Sequence, residues 1–336
     1  MATVAAPGPV TACSSAKMTR NESGVELLRA AIGGSIDAST TIIGSYLQRL
    51  AYELGQLLGQ TCEPDRLKLS MATAGREHPD SLAALLAWPP VAGVLLGRLN
   101  ADDRVGLIVD CLDDVTDLPE LGAAPIVGID LQWLEVHAPP GQRASALLSP
   151  RALRSAMDLL HLSDGAAELV RLVTKIVTLR QLPDRTIIGS WSTDELIGCS
   201  ILINIGPRTA TTTVAATLLH EAIHHCQAMV EVQTPFIVEP DIVLNSKRYN
   251  SPWTGAPLTA KSFIAATFVW YGLALHWKRI SERSKSEDAV MQYQAAVRGF
   301  IQSDPAAQIA EMSWALDRSV LPLVTRLQYE VRTSCG

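Results

Sequence analysis

The sequence predicts a mostly helical α+β chain in which a small sheet feeds one long helix, and three observations carry that expectation. The first is the pentapeptide His220-Glu221-Ala222-Ile223-His224. On a helix it sets two imidazoles one turn apart on one face, aimed at a single ion. In a chain with 7 histidines, an accidental H-E-x-x-H has a probability on the order of 1%. The second is its setting: Thr213 to Val232 holds no Gly or Pro and is rich in Ala, Leu and Val. The preceding Thr209-Ala210-Thr211-Thr212 suits a helix N-cap. The third is a pair of short β-rich runs just upstream, Thr186 to Trp191 and Ile197 to Ile205, spaced to pair as a hairpin.

The remaining elements follow from periodicity and punctuation. Val25 to Leu58 and Ser81 to Leu99 carry Ala/Leu-rich helical patterns, interrupted by Gly59, Glu63-Pro64-Asp65 and Trp88-Pro89-Pro90. Ile126 to Val136 alternates as a strand and stops at Pro139-Pro140-Gly141, after which Pro150 to Arg180 resumes helix. Beyond the motif, Pro235 and Pro240 enforce a loop. Thr259 to Arg279 is then a helix apolar all round, hence buried against the motif helix, and Pro305 opens a last pair of helices. A sheet leading into an H-E-x-x-H helix is the arrangement of zinc peptidases, so the expected core is zincin-like.

Composition bounds the rest. The chain has 336 residues, 48% hydrophobic and 18% charged, enough core for one large domain built of interlocked parts. These parts are a disordered tail over 1–20, a helical part over 21–183 and the motif-bearing part over 184–336. A net charge of −6 without a Lys/Arg block gives no electrostatic reason for a nucleic acid or membrane partner. No 18-residue apolar run suggests a span, and the tail lacks the apolar stretch of a signal peptide. The 6 cysteines are scattered and form no C-x-x-C, which reads as reduced thiols of a cytoplasmic protein. Cys226 turns to another face than His224, so it packs rather than ligates.

The stretch from Ser190-Trp191-Ser192-Thr193 through Ile197-Gly198-Cys199, the His220 motif, then Tyr249-Asn250-Ser251-Pro252-Trp253 and Ala256-Pro257-Leu258 resembles the HExxH-motif proteins of peptide natural-product clusters. The resemblance spans about residues 185–280, with a fainter echo around His78-Pro79 to Leu99. It implies an iron(II)- and 2-oxoglutarate-dependent oxygenase that hydroxylates an unactivated carbon, the β-carbon of a residue in a peptide or amino-acid-derived precursor. His220 and His224 then bind iron, with Glu221 beside them as a proton-handling residue. Family members carry a third histidine early in the helix after Pro-Trp, where this chain has Ala265, and an arginine directly after Pro-Trp, where it has Thr254.

Those departures leave the third ligand and the cosubstrate cation to other residues. His276 lies eleven residues beyond Ala265, about 16 Å along a straight helix. Glu231 lies seven residues beyond His224, roughly 10 Å along the axis, with no glycine to bend the helix. Glu239 and Asp241 sit in the following loop and can fold back; Glu239 is preferred, since two histidines and a carboxylate form the common iron triad. Arg248 is the nearest cation for the distal carboxylate, and Tyr249 and Trp253 either line a substrate pocket or pack the loop.

Two other classes stay open on the same residues. A zinc hydrolase uses His220 and His224 with Glu221 as the base that deprotonates metal-bound water. A protein that has lost part of its site would be a catalytically silent binding or scaffold protein. The sequence leaves the substrate and the oligomeric state undetermined.

Overall fold

A computed structural model describes residues 24–61, 150–174, 176–180, 184, 186, 188–192, 197–205, 208–239 and 248–334. The tail over 1–20, the expected helix Ser81 to Leu99, the expected strand Ile126 to Val136, and Asp241 lie outside them.

The first helical pattern, Val25 to Leu58, is two helices: α1 (Gly24–Ile32) and α2 (Ile36–Thr61). Gly34 takes φ +100°, which ends α1 as a left-handed cap, with Gly34 N donating to Ala31 O at 3.0 Å and Ser35 N to Ala30 O at 2.9 Å. The expected helix Pro150 to Arg180 divides further, into α3 (Pro150–Leu160), α4 (Ala166–Val173) and a strand, β1 (Ile176–Arg180). Gly165 at φ +79° turns the chain between α3 and α4. The run Ile176-Val177-Thr178 is β-branched throughout, which favours the strand over continued helix.

The two glycine turns meet. A Cβ on Gly165 would lie 2.2 Å from Gly34 O, and one on Gly34 would lie 2.3 Å from Asp164 O. Only glycine lets these two backbones touch while both hold positive φ.

The hairpin forms as the sequence indicates. β2 (Gly189–Trp191) runs antiparallel to β3 (Cys199–Ile203), Ser190 opposite Leu202, and β1 joins the other edge of β3 in parallel. β3 leads into α5 (Thr211–Glu231), which carries the motif. Its N-cap is Ala210 with no side-chain cap, so the threonine-rich start marks the boundary without capping it. A two-residue ribbon, β4 (Tyr249–Asn250) with β5 (Pro257–Leu258), then delivers the chain to α6 (Ala260–Ser284). Thr259 caps α6, its hydroxyl accepting from Ser262 N at 3.1 Å. The chain closes with α7 (Glu287–Gln302), α8 (Pro305–Ala310) and α9 (Val320–Ser334), α8 being capped by Asp304 and opened by Pro305.

α5 is the hub, packed against α1, α2, α3, α4 and α6. Leu218, Leu219, Ala222, Ile223 and Cys226 are solvent-free on its packed faces, each large side chain contributing about 1.5–3 kcal/mol by burial. One apolar core runs from Val25 to Val331. α6 is continuous through Gly272, where a Cβ would come within 2.5 Å of Ile32 Cγ2 and 2.6 Å of Ile223 Cδ1. Gly272 therefore does not break the helix; it lets α1 and α5 approach it. Among the described residues no helix is long and apolar enough to cross a membrane.

Candidate metal centre

His220 and His224 both line a cavity of about 580 Å³ between α5, α6 and β2. Their ring centroids are 4.9 Å apart with planes at 61°. One ion about 2.1 Å from a nitrogen of each ring, at an angle between octahedral and tetrahedral, requires centroids roughly 4.5–5.2 Å apart. The observed spacing fits. The pair follows from an unbroken α5, which sets i and i+4 on one face.

Electrostatics fit as well. Burial pushes the His220 pKa down to about 4, so the ring is neutral near pH 7 and free to donate its lone pair. It keeps 31% of its side-chain surface because it borders the cavity, while the protein around it still withholds the solvent that would support a charge. Glu221 is only 1% exposed, with Oε1 3.9 Å from His220 Nε2, and its Oε2 has no hydrogen-bond partner among the described residues. A carboxylate oxygen buried without a partner is costly, and a cation or a metal-bound water at the histidines would relieve it.

His225, next in sequence, has a different task. Its Nδ1 accepts from Gly198 N at 3.0 Å and its Nε2 lies 3.0 Å from Ser200 Oγ. An accepting Nδ1 leaves the proton on Nε2, so the ring donates to Ser200 and ties β3 to α5. Cys226 is buried, its thiol pushed up to about 12 by desolvation, and it packs as expected.

The third ligand is not in view. Among the described residues no three His, Cys, Asp or Glu side chains converge on one point. Glu239 is exposed, and it is not among the residues lining the cavity. Glu231 does line it, two turns beyond His224, accepting from Gln227 Nε2 at 2.7 Å and facing Lys261 Nζ at 3.9 Å. His276 is fully buried elsewhere, with Nε2 2.7 Å from Ile32 O and Nδ1 2.8 Å from Ser163 Oγ. It fastens α6 to the end of α1 and the α3–α4 turn. Ala265 and Thr254 both line the cavity, so the two positions that depart from the family pattern border it.

The aromatic residues act behind the cavity. Trp253 is buried, its Nε1 donating to Ala296 O at 2.8 Å, and its indole stacks on Trp270 at 5.7 Å and 7°. Tyr249 packs on Phe263 at 5.4 Å. Neither lines the cavity, and Arg248 is exposed away from its lining. Trp270 does line it, edge-on to His220 at 6.5 Å and 89°. Among the described residues Lys261 is the lysine or arginine on the cavity, which Ser190 and Trp191 of β2 and the following Ser192 also line.

The sequence held a signal for some of these. Gln227 and Glu231 stand three and seven residues after His224, on the histidines' own stripe. Trp270 and Lys261 had none, because a helix apolar all round does not reveal which side borders a cavity. No family model matches the sequence, and no curated protein matches it significantly.

Proposed function

We propose that this chain is an iron(II)- and 2-oxoglutarate-dependent oxygenase that hydroxylates an unactivated carbon of a peptide or amino-acid-derived precursor. The observation that carries the proposal is a pair of histidines spaced for one ion, facing a cavity across which α6 presents Ala265, Ala266 and Trp270. A two-histidine site with non-ligating neighbours suits an ion that must also accept a chelating 2-oxo acid and dioxygen. The volume of about 580 Å³ lies within the range of small-molecule sites. A zincin-like core belongs to the same proposal.

When bound, iron with 2-oxoglutarate would supply the oxidising power to insert oxygen into a carbon–hydrogen bond, releasing succinate and carbon dioxide. The chain's own residues do the rest. His220 and His224 hold the ion, and Glu221 holds a proton-accepting oxygen beside His220. Lys261, on the cavity where Arg248 is not, offers the cation for a carboxylate. Trp270 keeps the wall beside His220 dry.

One observation favours a second reading. The buried, unpartnered Oε2 of Glu221 is what a zinc hydrolase would use to deprotonate metal-bound water. Protein purified without oxygen, assayed for metal content and for succinate formed from 2-oxoglutarate, decides between them. Bound iron with succinate release supports the oxygenase. Bound zinc, with peptide cleavage in the absence of oxygen, supports the hydrolase.

A further inference from the structure

Gln227 and Glu231 follow His224 by three and seven residues on the continuous α5, about 4.5 Å and 10 Å along its axis. Both line the cavity, so they form a polar end to it on the same helix stripe as the histidines. Gln227 is only 3% exposed. Its Nε2 donates to Glu231 Oε1 at 2.7 Å, and because a carboxylate only accepts, that contact fixes the amide's orientation and turns Oε1 away from Glu231. Among the described residues this Oε1 has no hydrogen-bond partner. A buried amide that gives its donor to a carboxylate and keeps its acceptor is arranged to receive an N–H or O–H from a ligand. Glu231 has a loose neighbour: Lys261 Nζ stands 3.9 Å from its Oε2, beyond hydrogen-bond length, on a lysine side chain that is 44% exposed. Two acceptor groups, one of them charged, thus stand side by side on the wall.

We infer that this end of the cavity recognises a cationic nitrogen of the ligand, the ammonium or guanidinium of a basic side chain, through Gln227 Oε1 and the Glu231 carboxylate. The inference deepens the reading above and rests on it for calling that ligand the substrate. A lysine- or arginine-like residue anchored here extends its carbon chain along the stripe towards His224 and His220. Either cationic group carries enough N–H donors to serve both acceptors at once, and hydrogen bonds from a cation to a carboxylate are the strong kind. Lys261 is the cation that such a group displaces from Glu231.

The test uses the full chain without added metal and four probes read by ligand-observed NMR titration. Nα-acetyl-lysine amide and Nα-acetyl-arginine amide carry the cation, Nα-acetyl-norleucine amide is the neutral chain, and Nα-acetyl-glutamate amide is the anion. One or both cationic probes should bind at least tenfold tighter than the other two, and the tighter one names the group. Glu231→Gln should weaken that probe tenfold or more and Gln227→Leu threefold or more. Lys261→Met should tighten it, while Glu239→Gln, exposed and away from the cavity lining, should stay within twofold of wild type. No preference of either cationic probe over norleucine overturns the inference. So does a preference for the glutamate probe that Lys261→Met abolishes, or cationic binding that neither Glu231→Gln nor Gln227→Leu alters. Iron uptake by a chain without the cationic preference overturns this inference alone; the cationic preference in a chain that takes up no iron supports the recognition and overturns the metal-binding reading.

Discussion

Gly299 and Trp253 are matched: a Cβ on Gly299 would lie 2.3 Å from Trp253 Cε2, so the indole occupies the space a side chain would take. That seat matters because Trp253 stacks on Trp270, and Trp270 stands edge-on to His220. The segment after the motif helix thus reaches His220 through two stacked indoles, while its Ser251 and Thr254 border the cavity directly. Gly299→Ala should destabilise by about 1–3 kcal/mol through overpacking, and Trp253→Ala by about 3–5 kcal/mol through the cavity it leaves. Urea denaturation measures both. If Gly299→Ala is as stable as wild type, the indole is not seated as described.

The crossing of Gly34 and Gly165 makes a sharper demand. Gly165→Ala places a methyl 2.2 Å from a carbonyl oxygen at φ +79°, which combines a backbone clash with a strained conformation of about 1–3 kcal/mol. The α1–α2 turn or the α3–α4 turn must move. Thermal unfolding should show a clear loss, while Gly44→Ala on α2, where a Cβ meets nothing within 4 Å, should gain a few tenths to about 1 kcal/mol.

Stability should fall in mild acid because of His276. Burial holds its pKa at about 4, below its usual 6.5, so the unfolded chain binds the proton more readily than the folded one. The contribution of this neutral ring is complete above about pH 6.5 and is lost as pH falls towards 4, at up to about 1.4 kcal/mol per pH unit. His276→Leu should remove that part of the slope. It should also lose about 1–3 kcal/mol for each of Ser163 Oγ and Ile32 O left without a partner. Denaturation curves at pH 7 and pH 5 check both parts, and an unchanged slope in the variant counts against the assignment.

Metal binding should depend on two of the three clustered histidines and not on the third. His220→Ala or His224→Ala should abolish tight uptake of divalent iron or zinc, measured by calorimetry. His225→Asn should retain the ion at reduced stability, since His225 ties α5 to β3. Full uptake by either alanine variant would remove the site.

Glu221→Gln separates the two chemistries. A hydrolase needs the carboxylate as base and should lose all turnover. In an oxygenase the amide should lower succinate formation only partly. Activity of both proteins, with and without 2-oxoglutarate, reads the difference.

What the sequence determined by itself were the features written in short-range spacing. The i, i+4 imidazoles need only an unbroken helix to share a face, and the β2–β3 hairpin needs only two β-rich runs close together. The exclusion of His276 was likewise a matter of rise per residue along one continuous helix. Tertiary structure decided everything that depends on which faces meet. Gly34 lies inside the single helical pattern expected over Val25 to Leu58, yet it ends a helix against Gly165, and Gly272 admits Ile32 and Ile223. Ile176 to Arg180 was helical by continuity and became a strand because β3 offered it a partner edge. Tyr249 and Trp253 carried the family pattern but pack behind the cavity, while Lys261 and Trp270, indistinct in a uniformly apolar helix, border it. Periodicity fixes a side chain's direction around its own helix axis, but what stands opposite it is set by the packing of helices distant in sequence.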